Sequence, residues 1–217
     1  MFYIRINKVK ILNNRELLGK GEIQLMSFIT GAEQDFPMLQ QFFVTQSEAE
    51  KIAIVKDAAM KILSSRILLP IQKVKDNASL YFGDTGYIVF KSPVIPDDFS
   101  WMLLAIEKDS RTRETGTLIS TILTDSNLGT IAGALGQVAG FSNPVAASVS
   151  ILMNQLVNIS TALFKADCDD LAGMLLTSFI RREHYPHGIR DKQDTIDLTG
   201  NMYVDYSIFG FEETTIS

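Results

Sequence analysis

Residues 183–201, EHYPHGIRDKQDTIDLTGN, hold the densest set of side chains able to do chemistry. They bring together Glu183, His184, His187, Asp191, Asp194, Asp197 and Asn201, including both histidines of the chain. Imidazole with carboxylate suits a divalent transition metal, and carboxylates with carbonyls on a loop suit calcium. The spacing argues against a rigid zinc site. Pro186 interrupts His184-x-x-His187, the His-Glu-x-x-His pattern is missing, and there is no EF-hand spacing. The plainer reading is a long polar loop between two strands, with its Pro-His-Gly turn held by Tyr185. Asp197 then caps the Leu198-Thr199-Gly200 turn, and no transition metal is tightly bound.

Elsewhere the chemistry is thin. Asp84, Asp97-Asp98, Glu107 and Asp109 place acids at strand ends, where Arg111 and Arg113 can pair with them, but exposed pairs contribute little. Cys168 with His184 or His187 would make a nucleophilic pair, yet Asp167, Asp169 and Asp170 surround that thiol and oppose its thiolate. A serine nucleophile elbow, a P-loop and a dinucleotide glycine motif are all absent. The composition therefore points away from an enzyme. Net charge is −5 with the signs interspersed and no basic run, which excludes an electrostatic footprint for nucleic acid. A single cysteine excludes an intrachain disulfide framework. The opening MFYIRINKVKILNN alternates charge where a signal peptide needs an apolar run. A cytoplasmic location, or export by a signal-peptide-independent route, is the expectation.

Residues 128–164 contain no Asp, Glu, Lys or Arg. Asn143 or Ser142 can cap a helix that begins at Pro144, so the stretch divides into 128–141 and 144–164. In the second part Val145, Val149, Leu152, Leu156, Ile159 and Leu163 follow a heptad seam. In the first part Gly129, Gly133, Gly136 and Gly140 form a ladder of small residues that would let a partner backbone approach closely. A membrane span needs ~20 apolar residues. The first part is too short for that, and the second carries Asn154, Gln155 and Asn158. The spacing predicts a helical hairpin, buried or half-buried, with the glycines in close contact. Insertion of the hairpin into a membrane and contact between copies of the chain are the alternatives.

The elements that must position these residues are mostly strands. Phe2, Ile4 and Ile6 alternate with polar residues, and the alternation slips near Lys8, where a bulge fits. Residues 21–29 read as a second strand that can pair with the first. Ser47 and Glu50 form a capping box for a helix near 48–63. Strand pieces follow at 66–74, 78–82 and 86–91, with a turn at Gly83-Asp84-Thr85-Gly86. FSWMLLAIE at 99–107 suits a strand buried on both faces. Strand signals return at 175–185 and 201–212. The predicted fold is mainly β with a helical insertion, an α+β chain. An antiparallel β-sandwich is built from 2–110 and 172–212 as a single domain, with the helices of 111–170 inserted between.

The stretches MFYIRINKVKILNN…GKGEIQL, LLAIEKDSRTRETG and RREHYPHGIRDKQD…DLTGNMYVDYSIFG resemble the calcium- and lipid-binding β-sandwich domains of the synaptotagmin and protein kinase C type. They are similar, more closely, to uncharacterised bacterial proteins with such a sandwich. The resemblance covers the two strand blocks and leaves out 111–170. It implies calcium held by paired aspartates on adjacent loops, for which Asp97, Asp98, Asp191 and Asp194 are the candidates. Neither pair has the Asp-x-Asp spacing of those domains. The functional expectation is a non-enzymatic binding module, without a required cofactor, that docks to a protein partner or a membrane surface. A toxin-like protein inserting 128–164 and a metal-dependent hydrolase built on 183–201 are the competing readings.

Overall fold

The computed structural model describes residues 1–14, 19–31, 36–65, 67–69, 72–107, 115–166, 171–184 and 188–211. The strands are β1 (Phe2–Ile11), β2 (Gly21–Thr30), β3 (Ile67–Leu68), β4 (Gln72–Val74), β5 (Ala78–Tyr81), β6 (Tyr87–Ser92), β7 (Asp98–Glu107), β8 (Leu171–Ile180), β9 (Gly188–Ile196) and β10 (Met202–Gly210). The helices are α1 (Met38–Phe42), α2 (Glu48–Ser64), α3 (Thr115–Ile122), α4 (Asp125–Gly136), α5 (Pro144–Ala166) and the one-turn α6 (Arg181–His184). The chain divides into two compact units. One joins 1–29, 67–111 and 168–217, and the other joins 30–66 and 112–167.

The first unit is an antiparallel β-sandwich. Sheet A runs β5-β1-β10-β9, with β6 also on β1, and sheet B runs β3-β2-β7-β8, with β4 also on β2. The alternation of β1 is visible in its burial. Phe2, Ile4 and Ile6 point inward, and after the register shift between Ile6 and Lys8 the inward residues are Val9 and Ile11. That shift is the bulge expected near Lys8, and the Asn7 amide donates to Ser207 Oγ across it at 2.7 Å. The partner strand changes at the same place. Residues 2–6 pair with β6 and residues 8–11 with β5. The turn joining β5 to β6 fits against the bulge, since a Cβ on Gly86 (φ +67°) would lie 2.7 Å from Asn7 Oδ1. Between the sheets, Trp101 donates from Nε1 to Ser27 Oγ at 2.8 Å and meets the Tyr206 ring edge-on. Phe2, Ile4, Leu103, Val204 and Ile208 belong to the same core.

Two expectations are corrected here. β1 and β2 do not form a hairpin, because they lie in different sheets. Alternation records which face of a strand is buried, and it is silent about the neighbouring strand. Asn13-Asn14 is a crossover. The buried Asn14 donates from Nδ2 to Val74 O at 2.8 Å, and its N–H donates to Asp76 Oδ1 at 2.8 Å. The second correction falls within 183–201, where a strand replaces most of the expected loop. β9 pairs with β10 along sheet A. As an edge strand it has mostly exposed residues, so it lacks the apolar alternation that marks a buried strand.

In the helical unit, Ser47 Oγ accepts from Glu50 N at 3.3 Å, the N-cap that the sequence predicts for α2. Asn143 Oδ1 likewise accepts from Ala146 N at 3.1 Å, so Pro144 opens α5. α5 is amphipathic. Val149, Leu152 and Leu156 of the seam are buried, Val145 and Ile159 are half-buried, and Asn154 and Asn158 are exposed. The Leu163 side chain lies outside the described residues. Among the described residues, no helix is long and apolar enough to cross a membrane. The glycine expectation is corrected. Gly129, Gly133, Gly136 and Gly140 are all exposed, and among the described residues nothing lies within 4 Å of a Cβ built on any of them. The buried side of α4 is Leu128, Ile131, Ala132 and Leu135, so larger side chains make its contacts.

Candidate docking site

The residues of 183–201 take separate structural positions. Asp197 is buried. Its Oδ1 accepts from Asn201 N and Met202 N, both at 2.9 Å, and its Oδ2 accepts from Met174 N and Thr199 Oγ1, both at 2.6 Å. It thus caps the 198–200 turn as the sequence predicts, and also ties β8 of sheet B to β10 of sheet A. Asn201 extends the tie, donating from Nδ2 to Asn13 O at 2.8 Å and to Ala172 O at 2.5 Å. Four donors leave the Asp197 carboxylate committed to the backbone and the turn, a structural role.

His184 closes the end of β8. Its Nδ1 accepts from Ile180 N at 2.9 Å and its ring meets Phe179 edge-on. Arg190 donates from Nη1 to the carbonyls of Glu183 and His184, which holds α6 against β9. Asp194 has a left-handed backbone (φ 47°) and its N–H donates to Asp205 Oδ1 at 2.7 Å. Lys8 reaches Asp205 at 2.8 Å and Asp194 at 3.4 Å. The hydrogen bond to Asp205 holds the Lys8 ammonium above its ordinary pKa, working against desolvation. Asp191 is exposed on β9, opposite Ser207. Asp98 opens β7 in sheet B, and Asp97, just before it, faces Arg181 at 4.0 Å. Among the described residues, no three His, Cys, Asp or Glu side chains stand together in a way that could hold a metal ion. Tyr185, His187, Cys168, Asp109, Arg111 and Arg113 lie outside the described residues.

The topology gathers a different set of residues that sequence reasoning missed. Phe2 pairs with Ser92 and Gly210, Gly210 with Gly188, and Asp98 with Ile180. The Phe2 and Phe99 rings pack edge-on at 5.3 Å across the core. One end of the sandwich therefore carries the starts of β1, β7 and β9 and the ends of β6, β8 and β10. Met1, Val94, Ile180, Ile189 and Phe211 stand exposed around that end, Val94 by 68% and Ile189 by 60%. Met1 and Phe211 are joined by backbone hydrogen bonds in both directions. Lys91 and Arg190 lie in register with this rim, and Arg181 and Arg182 follow Ile180 directly. Asp97, Asp98 and Glu183 are exposed at the same end, so its charge is mixed. Single apolar residues on a surface are ordinary, and five grouped at one end make it a candidate contact surface. In the sequence the five are scattered over more than two hundred positions, and only Val94, set between Pro93 and Pro96, stands out locally.

No family model, no curated protein and no solved structure matches the chain.

Proposed function

We propose that the protein is a non-enzymatic binding module that docks through this end of the sandwich to a protein partner or a membrane surface. The observation that carries the reading is the grouping of Met1, Val94, Ile180, Ile189 and Phe211 at one end of the sandwich, beside the charged residues Lys91, Asp97, Asp98, Arg181 and Arg182. Full burial of a side chain of this size contributes about 1.5–3 kcal/mol. Five half-exposed side chains therefore supply about 4–8 kcal/mol, against an association cost of about 4 kcal/mol or more. The balance, at most about 4 kcal/mol, fits weak, reversible docking with an affinity no tighter than about millimolar from these side chains alone. The acids of 183–201 add little to a hydrolase reading, because Asp197 is committed to the backbone and Asp194 shares the Lys8 ammonium with Asp205 of β10.

Flotation with phosphatidylcholine vesicles, with and without phosphatidylserine, tests the membrane arm. A calcium arm belongs in the experiment, because the resemblance implies calcium at Asp97, Asp98, Asp191 and Asp194. The double variant Val94→Asp, Ile189→Asp should lose binding while keeping its melting temperature. Binding to vesicles that survives this variant unchanged would refute docking by this end. Failure of the wild-type chain to float, with partner capture from cells that the double variant abolishes, would assign the end to a protein.

A further inference from the structure

Among the described residues β8 is an edge strand of sheet B, and its backbone groups can be followed one by one. Met174 sends its N–H to Asp197 Oδ2 at 2.6 Å and its carbonyl accepts from Leu198 N at 2.8 Å, so both groups point away from β7. Backbone groups alternate sides along a strand. Residues 172, 174, 176, 178 and 180 therefore face the edge. This agrees with the Ala172 carbonyl accepting from Asn201, with Ile180 N–H donating to His184, and with Arg181 N–H turning back to Asp97 O.

At 172 and 174 the edge is plugged by the 197–201 turn, and at 180 by His184. Between the plugs lie Leu176 and Ser178. Among the described residues nothing accepts from their N–H groups or donates to their carbonyls at the edge. The hydrogen bond between Ser178 Oγ and Ser100 Oγ lies on the face of the sheet and leaves the edge open. Open strand edges are a hazard that proteins blunt with charge, proline or a bulge. β9, the edge of sheet A, carries such devices, with Arg190, Asp191 and Lys192 and a register shift at the left-handed Asp194. Leu176-Thr177-Ser178 carries none.

We propose that β8 at Leu176 and Ser178 is a strand-addition site for a short extended peptide of a partner protein. Two N–H groups and two carbonyls facing one way call for a peptide backbone, which can answer all four. From Met174 to Ile180 is ~20 Å at ~3.4 Å per residue, and the plugs occupy both ends. The gap therefore takes three to five residues, about what two outward-facing positions can bind. A second copy of β8 brings its own plugs, and these collide with the first copy's. Charge selects further. The Tyr206 hydroxyl interacts with Thr177 of β8 and Thr195 of β9. Lys192, opposite Tyr206 in register and exposed, stands on the same side. An acidic side chain at the centre of the peptide would meet that ammonium. The proposal rests on the reading of the chain as a binding module, but it uses none of the apolar end, so either can fail alone.

Amide hydrogen exchange of the full chain, read by NMR, provides the test. The probe is a library of capped pentapeptides with Glu at the centre and Thr, Val, Ile, Leu or Tyr at the flanks. Free, the Leu176 and Ser178 amides should exchange fast and the Thr177 amide slowly. With a binding pentapeptide the first two should slow at least tenfold, and the same peptide with proline flanking Glu should have no effect. Ser178→Pro removes an N–H that β7 does not use, a substitution edge positions tolerate, and should weaken binding at least tenfold. If that variant fails to fold, the proline-flanked peptide decides alone. The proposal is overturned if no library member slows these amides at millimolar concentration. It is equally overturned if binding survives Ser178→Pro, or if the amides slow with protein concentration without peptide, which would assign the edge to a second copy.

Discussion

The Asp197 carboxylate accepts the backbone N–H of Met174 at 2.6 Å, and this contact fastens the β9–β10 connection of sheet A to the edge of sheet B. The same side chain accepts from Asn201 N and Met202 N. Asp197→Ala would remove the acceptor of three buried backbone N–H groups, of which Asn201 N keeps a longer hydrogen bond to Thr199 Oγ1 at 3.3 Å. At about 1–3 kcal/mol for each unanswered buried donor, the expected loss is ~3–5 kcal/mol. Urea denaturation measures it. A loss under about 1 kcal/mol would show that water replaces the carboxylate.

Glycine-to-alanine substitutions should act with opposite sign at two places. Gly133 sits exposed inside α4 with open space around a Cβ, so Gly133→Ala should stabilise by ~0.5–1 kcal/mol. A Cβ on Gly173 would lie 2.6 Å from Met202 Cβ, between the two sheets, so Gly173→Ala should destabilise by ~1–3 kcal/mol. Gly136→Leu, which close glycine packing would forbid, should leave stability nearly unchanged. A large drop in melting temperature for Gly136→Leu would restore the small-residue contact.

Stability should fall as pH rises above about 10. Lys8 is held above its ordinary pKa by its hydrogen bond to Asp205, and Tyr206 above its own by burial. In both, the native state keeps a proton that the unfolded chain releases first. Their contribution is complete below the unfolded values and is lost as pH climbs through the folded ones. Denaturation of wild type, Lys8→Met and Tyr206→Phe between pH 8 and 11.5 should show a shallower alkaline fall in each variant. Identical slopes in all three would contradict the assignment.

Protein purified without chelator should carry no stoichiometric zinc or other transition metal. The His184 Nδ1 meets Ile180 N, and no metal-ligand cluster stands among the described residues. Elemental analysis checks this. One equivalent of zinc that disappears in His184→Ala would overturn it.

Much of the chain is legible from local physics alone. The slip in β1, the Ser47 and Asn143 caps, the Gly83–Gly86 turn and the Asp197-capped turn each depend on side chains a few positions apart, and the structure has all of them. The apolar seam and amide face of α5 are readable for the same reason, since helical periodicity sets which residues share a face. Other features depend on which strands meet, and periodicity carries no record of that. It does not say that β1 leaves β2 for β10, or that the polar run at 188–196 is an edge strand. The four glycines look like a contact because close packing and open solvent both tolerate glycine, and only the packing of α4 through Leu128, Ile131 and Leu135 distinguishes the two. Met1, Val94, Ile180, Ile189 and Phe211 become one surface only when two sheets bring six strand ends together, because exposure depends on neighbours in space and not on the residue alone.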